Sequence, residues 1–261
     1  MTPGLILNAL AFAAAGGNIA LHYPKIAGNR ASLKPRREQA VMVLALLLAV
    51  AGFFLHPGIV GITLGVVAII PAGLFLLGSS TSGLAFQRPS VAVGDIAPDF
   101  TAQDSAGRPV RLSSFRGSPV LLKFYRGVWC PYCVGELRQL DRHARDFAAL
   151  GIKLVAVSSD RTDELYAFER KNASAITLLA DPDLAVHQRY NVQQRNFTPK
   201  RGLFRDLAIP TSILIDKEGR VVWLEQTTDF RVRPQADALL AKAKVLLADG
   251  ETSADCDVCA A

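Results

Sequence analysis

The hydrophobic positions divide the chain into an almost continuously apolar N-terminal third and a longer remainder in which short apolar and polar segments alternate. Three apolar stretches, at residues 4–21, 40–55 and 59–78, dominate the first third. A helix needs about 20 mostly apolar residues to cross a membrane. The third stretch has this length, the second approaches it, and the first is interrupted by asparagines. The pattern predicts two or three transmembrane helices.

The sequence between the second and third stretches, His56-Pro57-Gly58, predicts a tight turn between two helices. A buried helical hairpin in a soluble protein is the alternative, but two adjacent uncharged helices have too little polar surface to face water. The first residues carry no positive charge, which disfavours a cleaved secretory signal. Residues 1–78 are therefore predicted to be a membrane region that contacts the bilayer.

The formal net charge of +6 includes a basic cluster between the first two apolar stretches. Basic residues close to helix ends favour the cytoplasmic side of a membrane. This predicts a multi-pass protein of the inner (cytoplasmic) membrane whose second helix leaves the cytoplasm and whose third returns, so that the following domain lies on the cytoplasmic face. No nucleic-acid-binding motif accompanies the charge, and no nucleic-acid partner is expected. The cluster comprises Lys25, Arg30, Lys34, Arg36 and Arg37.

After a Ser- and Gly-rich linker at residues 79–93, residues 94–249 have the pattern of one globular α/β domain. Short apolar runs alternate with segments of helical periodicity, and this order predicts parallel strands with right-handed crossovers. The predicted strands cover 99–103, 110–112, 119–125, 152–158, 176–180, 211–216 and 220–224. The predicted helices cover 134–150, 163–171, 183–190 and 235–248.

The four cysteines form two C-x-x-C pairs, and the first pair, Cys130 and Cys133, lies where a predicted strand passes into a helix. Free N–H groups and the helix dipole favour a thiolate at such a position, and Pro131 suits the first helical turn. The expected chemistry is attack by the more exposed Cys130 on a disulfide and resolution by Cys133, with Trp129 beside them in the site. A pair of buried structural cysteines is the alternative.

The second pair, Cys256 and Cys259, lies in a predicted flexible tail at residues 250–261. Three alternatives stay open for it: a second redox pair that exchanges electrons with the first, a zinc site formed by all four thiolates, or no defined role. The zinc alternative implies a rival function, a metal-binding or metal-sensing membrane protein. The principal interpretation requires no cofactor and no metal.

Several segments of the globular domain resemble the thioredoxin superfamily, and within it the AhpC/TSA peroxiredoxin-like and TlpA-like thiol oxidoreductases. This resemblance implies a thioredoxin-like fold, a central mixed sheet flanked by helices, and a cis proline at Pro210 that packs against the redox cysteines and helps to hold the substrate. The segments are 94–100, 119–125, 129–133 with Glu136-Leu137, and 209–219.

The resemblance leaves two activities open. Aligned on its flanking residues, Cys133 matches the peroxidatic cysteine of peroxiredoxins, but Cys130 replaces the family's threonine and Arg126 its proline, and no arginine stands at Ile209-Pro210. Aligned on Trp129, the site matches a dithiol exchanger instead. Thiol–disulfide exchange is thus expected, with peroxide reduction as an alternative. The implied partners are a thiol or disulfide protein, a small thiol or a peroxide.

Overall fold

The computed structural model describes residues 2–30, 32, 34–80, 83–84, 87–172, 174–194 and 206–248. The chain divides into two compact units, Met1–Gly83 and Leu84–Ala261. Each unit has its own buried apolar interior.

The first unit consists of three helices that pack against one another: α1 (Pro3–Ala27), α2 (Arg36–Phe53) and α3 (Gly58–Ser80). α1 and α3 extend beyond the apolar stretches from which they were predicted, whereas α2 begins before its stretch and ends at Phe53, short of residue 55. Among the described residues, α1 and α3 are long and apolar enough to cross a membrane, whereas α2 begins with the charged residues Arg36, Arg37 and Glu38. His56 and Gly58 adopt positive φ angles of 51° and 67°, which turn the chain between α2 and α3.

The interior of this bundle contains small side chains, while its surface carries large apolar ones. Glycines allow close approach: a Cβ atom at Gly52 would lie 2.2 Å from Oδ1 of Asn8, and one at Gly4 would lie 2.6 Å from the Gly52 carbonyl oxygen. The buried alanines are Ala11, Ala15, Ala45, Ala49, Ala68 and Ala72. Exposed residues include Leu10, Phe12, Leu47, Val66, Ile70 and Leu74.

The second unit alternates strands and helices around one large sheet. Its strands are β1 (Thr101–Asp104), β2 (Pro109–Arg111), β3 (Val120–Tyr125), β4 (Lys153–Ser158), β5 (Thr177–Ala180), β6 (Gln193–Gln194), β7 (Leu207–Ala208), β8 (Thr211–Ile215) and β9 (Val221–Gln226). Its helices are α4 (Pro131–Arg142), α5 (Ala144–Ala149), α6 (Thr162–Glu169), α7 (Ala185–Arg189) and α8 (Ala236–Ala248), with a 3₁₀ turn at Leu112–Phe115.

Seven of the strands form a mixed sheet in the order β2-β1-β5-β4-β3-β8-β9, in which β3, β4 and β5 run parallel. All six residues of β3 are buried, because helices and loops cover both faces of the sheet centre. Parallel strands joined through α4–α5 and α6, followed by the antiparallel pair β8–β9, give the predicted thioredoxin-like fold. This prediction is confirmed.

Three local features differ from the predictions. The helix predicted over 134–150 is broken at His143, where α4 ends and α5 begins. The two-residue strands β6 and β7 were not predicted, because they are too short to produce a periodic pattern. Part of the predicted linker is bound to the second unit: Ser90 N donates to the Tyr190 carbonyl (2.9 Å), and Leu84 N to that of Thr228 (2.8 Å).

Candidate active site

The loop between β3 and α4 delivers the first cysteine pair to the carboxyl end of the central strand. Gly127 has a φ of 150°, and a Cβ atom there would lie 2.4 Å from the Trp129 indole nitrogen. The backbone N–H of Val128 donates to the Asp160 carboxylate (2.8 Å). Cys130 is the N-cap residue of α4, and its N–H donates to the Gly127 carbonyl (3.2 Å). The loop therefore has a defined backbone conformation.

Both cysteines are free thiols, and both are buried: Cys130 is 3% exposed and Cys133 0%. Pro131 occupies the first helical turn, as predicted, and Cys133 follows in the same turn. A side-chain hydrogen bond connects the two sulfurs. The expected difference in exposure between the two sulfurs is therefore absent, and their contacts distinguish them instead.

The positive groups of the site converge on Cys133. Nη2 of Arg233 lies 3.4 Å from its sulfur, and the backbone N–H of Arg126 also donates to it. Burial alone would raise the pKa of Cys133, but the hydrogen bond from Cys130 and the Arg233 charge outweigh burial and lower this pKa to about 5. Cys133 is thus the sulfur that the site holds as a thiolate.

The pKa of Cys130 shifts in the opposite direction. Its hydrogen bond to Cys133, together with burial, raises this pKa. The predicted lowering at Cys130 is therefore wrong, because the helix start serves both cysteines whereas the Arg233 guanidinium contacts only one of them. Cys130 is the protonated donor and Cys133 the acceptor.

Arg233 belongs to a buried series of ion pairs. Its Nε lies 3.2 Å from Oε2 of Glu136, and the other oxygen of Glu136 accepts a hydrogen bond from Nζ of Lys123. Lys123 also donates to the Ser212 hydroxyl on β8. The side chains of Lys123, Glu136 and Arg233 are almost completely buried. Opposite charges thus alternate from β3 through α4 to the Cys133 sulfur.

Two further groups complete the surroundings of the pair. The Arg126 guanidinium lies 4.5 Å from the centre of the Phe230 ring, which also packs edge-on against Tyr132 at 5.9 Å. Asp160 accepts from the Ser158 hydroxyl (2.8 Å) as well as from Val128. Burial raises the pKa of Asp160 to about 6. Asp160 therefore holds the cysteine loop while remaining titratable near neutral pH.

The other predicted site residues have distinct positions. Trp129 is 59% exposed on the loop that precedes Cys130. Pro210 is buried before β8, and its carbonyl accepts from Thr227 N (3.1 Å). All peptide bonds of the described residues are trans. The implied cis proline is therefore wrong, and this segment is held by backbone bonds to Thr227, just after β9, and to Val192.

The tail pair Cys256 and Cys259 lies outside the described residues. Within the described ranges, no group of three or more His, Cys, Asp or Glu side chains could hold a metal ion. The redox and zinc roles predicted for Cys256 and Cys259 thus stay predictions.

Arg233, Glu136 and Asp160 have functional contacts that their sequence positions did not predict. Arg233 lies 100 residues after Cys133, so no local spacing connects them. One signal was available: Lys123 interrupts the apolar run of a predicted central strand, and a buried charge requires a partner. That rule predicts an acidic neighbour without identifying it.

This arrangement defines a thiol oxidoreductase of thioredoxin-like fold, with a paired dithiol at the start of a helix. The AhpC/TSA family model matches residues 93–224, which is just over half of the chain. The chain belongs to the AhpC/TSA family.

Individual relatives agree with this assignment. Peroxiredoxin Bcp of Escherichia coli (strain K12) is 30% identical over 150 residues, which cover 56% of this chain and 92% of that protein. Thiol-disulfide oxidoreductase ResA of Bacillus subtilis is 27% identical over 136 residues, covering 52% of this chain and 68% of ResA. The crystal structure of peroxidoxin BcpB from Mycobacterium tuberculosis matches 62% of this chain and 99% of its own length, with a TM-score of 0.51 at 24% identity, which supports the fold. Redox enzymes of both kinds are thus similar to this chain.

Proposed function

We propose that the chain is a membrane-anchored thiol peroxidase in which Cys133 is the nucleophile and Cys130 the resolving cysteine. The observation that carries the proposal is the 3.4 Å contact between the Arg233 guanidinium and the Cys133 sulfur. A thiolate is the reactive form of cysteine, and an adjacent arginine stabilises it. The pKa of about 5 leaves Cys133 ionised at neutral pH.

The burial of the pair favours a small oxidising substrate. Cys133 has no exposed surface and Cys130 very little. A hydroperoxide presents two adjacent oxygens and requires little space, whereas a protein disulfide must bring two backbones up to the sulfur. The Arg233 side chain provides a donor beside the thiolate, where the leaving oxygen gains negative charge, and the buried Arg126 guanidinium adds positive charge to the site.

The reaction has three steps. The Cys133 thiolate attacks the peroxide, the O–O bond breaks, and the products are a sulfenic acid and an alcohol or water after the leaving oxygen takes a proton. The Cys130 thiol then condenses with the sulfenic acid, which releases water and forms the Cys130–Cys133 disulfide. Two electrons from an external thiol donor reduce the disulfide and complete the cycle.

A second candidate, thiol–disulfide exchange with a protein partner, is favoured by the exposure of Trp129. A large aromatic side chain at the surface beside a redox pair suits contact with a polypeptide. ResA of Bacillus subtilis is named as a thiol-disulfide oxidoreductase, so this chemistry occurs among the relatives. In this function the same Cys133 thiolate would attack a disulfide after the loop at residues 127–130 moves.

Peroxide turnover by the full-length protein in detergent, with a thiol donor, tests the peroxidase proposal. We expect Cys133→Ser to lower the rate at least about a thousandfold, because the nucleophile is lost. Cys130→Ser should still react once with hydrogen peroxide and leave a sulfenic acid on Cys133 that dimedone traps. If Cys130→Ser forms no sulfenic acid with hydrogen peroxide and Cys133→Ser still does, Cys130 is the nucleophile and Cys133 the resolving cysteine.

The same preparations separate the two candidates. Insulin disulfides serve as the polypeptide substrate and hydrogen peroxide as the small one. A peroxidase should react with peroxide at least about a hundredfold faster than with insulin at equal concentration. Faster reaction with insulin than with peroxide, together with slower insulin reduction by Trp129→Ala, would favour thiol–disulfide exchange with a protein. Tyr166→Ala, which truncates an exposed aromatic residue on α6, is the matched control.

The membrane location rests on the composition of the first unit. Large apolar side chains cover its outside and alanines and glycines fill its inside, which suits a lipid environment. α1 also packs against both other helices, and Asn8 donates to the Gly61 carbonyl (2.8 Å), so its burial favours a retained helix over a removed signal sequence. The basic cluster at 25–37 then favours a cytoplasmic location for the second unit, the redox unit that carries Cys130 and Cys133.

Protease digestion of membrane vesicles tests this topology. In inside-out vesicles we expect the redox unit to be digested, whereas right-side-out vesicles should protect it until detergent is added. Digestion of the redox unit by protease added outside intact cells would show the opposite orientation. Complete release of the chain by alkaline carbonate would overturn the membrane assignment itself.

A further inference from the structure

Lys123 occupies a position where a charge is difficult to accommodate. It lies in the middle of β3, which has β4 on one side and β8 on the other, and it is 2% exposed. Every other residue of β3 has an apolar or aromatic side chain. A lysine in such a place requires a specific partner, since burial of an unpaired ammonium group is strongly unfavourable.

The partners of Lys123 lead directly to the reactive sulfur. Its ammonium group donates to one carboxylate oxygen of Glu136, which stands one turn after Cys133 on α4. The other oxygen of Glu136 lies 3.2 Å from Nε of Arg233. The far end of the same guanidinium contacts the Cys133 sulfur at 3.4 Å. Each group thereby fixes the orientation of the next.

The signs of the charges give Lys123 a second effect. Glu136 without Lys123 would neutralise Arg233, and the pair would offer the buried thiolate little net positive charge. With Lys123 present, two cations and one carboxylate leave one positive charge to compensate the thiolate. The titratable and charged groups that surround Cys133 in the described structure are Tyr125, Arg126, Cys130, Glu136, Asp160 and Arg233.

We propose that Lys123 is a positioning residue for the Cys133 nucleophile: through Glu136 it directs Arg233 at the sulfur and supplies the charge that keeps this guanidinium effective. It touches neither sulfur, so it acts only through the other two residues. The inference rests on the proposed function, in which Cys133 is the nucleophile.

The test is the pH dependence of Cys133 alkylation in the full-length protein, with modification at each cysteine resolved by tandem mass spectrometry. Lys123→Met removes the charge and the hydrogen bonds. We expect the midpoint of the Cys133 alkylation rate against pH to rise by about two pH units, which lowers the rate at pH 6 about tenfold. Lys123→Arg keeps a cation and should stay within one unit of the parent.

Two variants keep the result interpretable. Lys123→Gln retains an amide donor for Glu136 and Ser212 but no charge, and it decides the question if the methionine variant does not fold. Ser212→Ala removes the other partner of Lys123 and keeps every charge, so its midpoint should match the parent. A shift below one unit in a folded Lys123→Met or Lys123→Gln protein, or an equal shift in Ser212→Ala, would overturn the proposal.

Failure of the proposed function gives a different result. If parent Cys133 alkylates no faster than free cysteine at neutral pH and the Cys130→Ser variant forms no sulfenic acid with peroxide, the function itself fails. If both properties are present and the lysine variants keep the parent midpoint, only the role of Lys123 fails.

Discussion

The two units of this chain differ in where their large apolar side chains lie: at the surface in the first unit and in the interior in the second. In the three-helix unit, alanines and glycines are buried and the large side chains, such as Leu47 and Ile70, are exposed. In the redox unit, large side chains such as Phe124 and Tyr125 are completely buried. The hydrophobic effect explains the second arrangement but not the first. The contrast supports the proposal that lipid surrounds the first unit and water the second.

Buried polar groups differ between the units as well. In the helical unit, Asn8 and Asn18 each donate to a backbone carbonyl of a neighbouring helix, and these bonds connect elements without charge. In the redox unit, Lys123, Glu136 and Arg233 are buried as ions beside a reactive sulfur. The asparagine bonds of the helical unit connect helices, whereas the buried ion pairs of the redox unit lead to the Cys133 sulfur.

The largest effect expected from a test of this contrast is a loss of membrane insertion when a charge replaces an exposed apolar residue of α3. Ile70 lies near the middle of α3 and is 57% exposed. If lipid surrounds it, Ile70→Asp should cost about 3 kcal/mol of insertion free energy and reduce the carbonate-resistant fraction of the protein. Ile70→Leu is the matched control. An aspartate variant that fractionates like the control would mean that this surface faces water.

A smaller effect, confined to the redox unit, is expected from pH. The pKa of Asp160 is about 6 in the folded chain against an ordinary value of 3.8. Its contribution to stability is therefore fully present below about pH 4 and is lost as the pH rises through about 6. The loss amounts to about 2–3 kcal/mol.

Asp160→Asn keeps an acceptor for Val128 and removes the titration. Urea unfolding of the full chain between pH 4 and pH 7, followed by tryptophan fluorescence, should show a gain in the variant's stability relative to the parent as the pH rises. Asp183→Asn, at an exposed carboxylate, should leave the parent profile unchanged. Parallel profiles for Asp160→Asn and the parent would contradict the expectation.

The smallest effect concerns a single interhelical hydrogen bond. Asn8→Leu removes the 2.8 Å bond to the Gly61 carbonyl, and in membrane proteins such bonds contribute about 0.6–1.7 kcal/mol. The change should lower the SDS concentration at which the bundle unfolds in mixed micelles, followed by circular dichroism. Thr63→Val, whose hydroxyl bonds only to its own helix at Ile59, should change it less. Equal effects would remove the special role of Asn8.

Much of the fold could be predicted because it depends on neighbours in sequence. The apolar run at 119–125 became β3, and Pro131 after Cys130 marked the start of α4. The break at His143 could not be predicted, because Leu140 and Phe147 on either side keep nearly helical spacing and are both buried. Local periodicity identifies an apolar face but not a change in helix direction.

The candidate site was predicted in part for a similar reason. Cys130 and Cys133 are three residues apart, and their position at a helix start is local information. The local argument also favoured Cys130 as the sulfur of lowered pKa, and here it was wrong, since the dipole of a helix start does not discriminate between two cysteines in the same turn.

The sequence by itself determined the apolar helices, the order of the longer strands and helices, and the presence of a dithiol at the start of a helix. These properties follow from periodicity and from residues a few positions apart. Only the tertiary structure decided which sulfur has the lowered pKa. That choice depends on Arg233, which folding brings from 100 residues away to within 3.4 Å of Cys133, and electrostatic interactions depend on distance in space rather than along the chain.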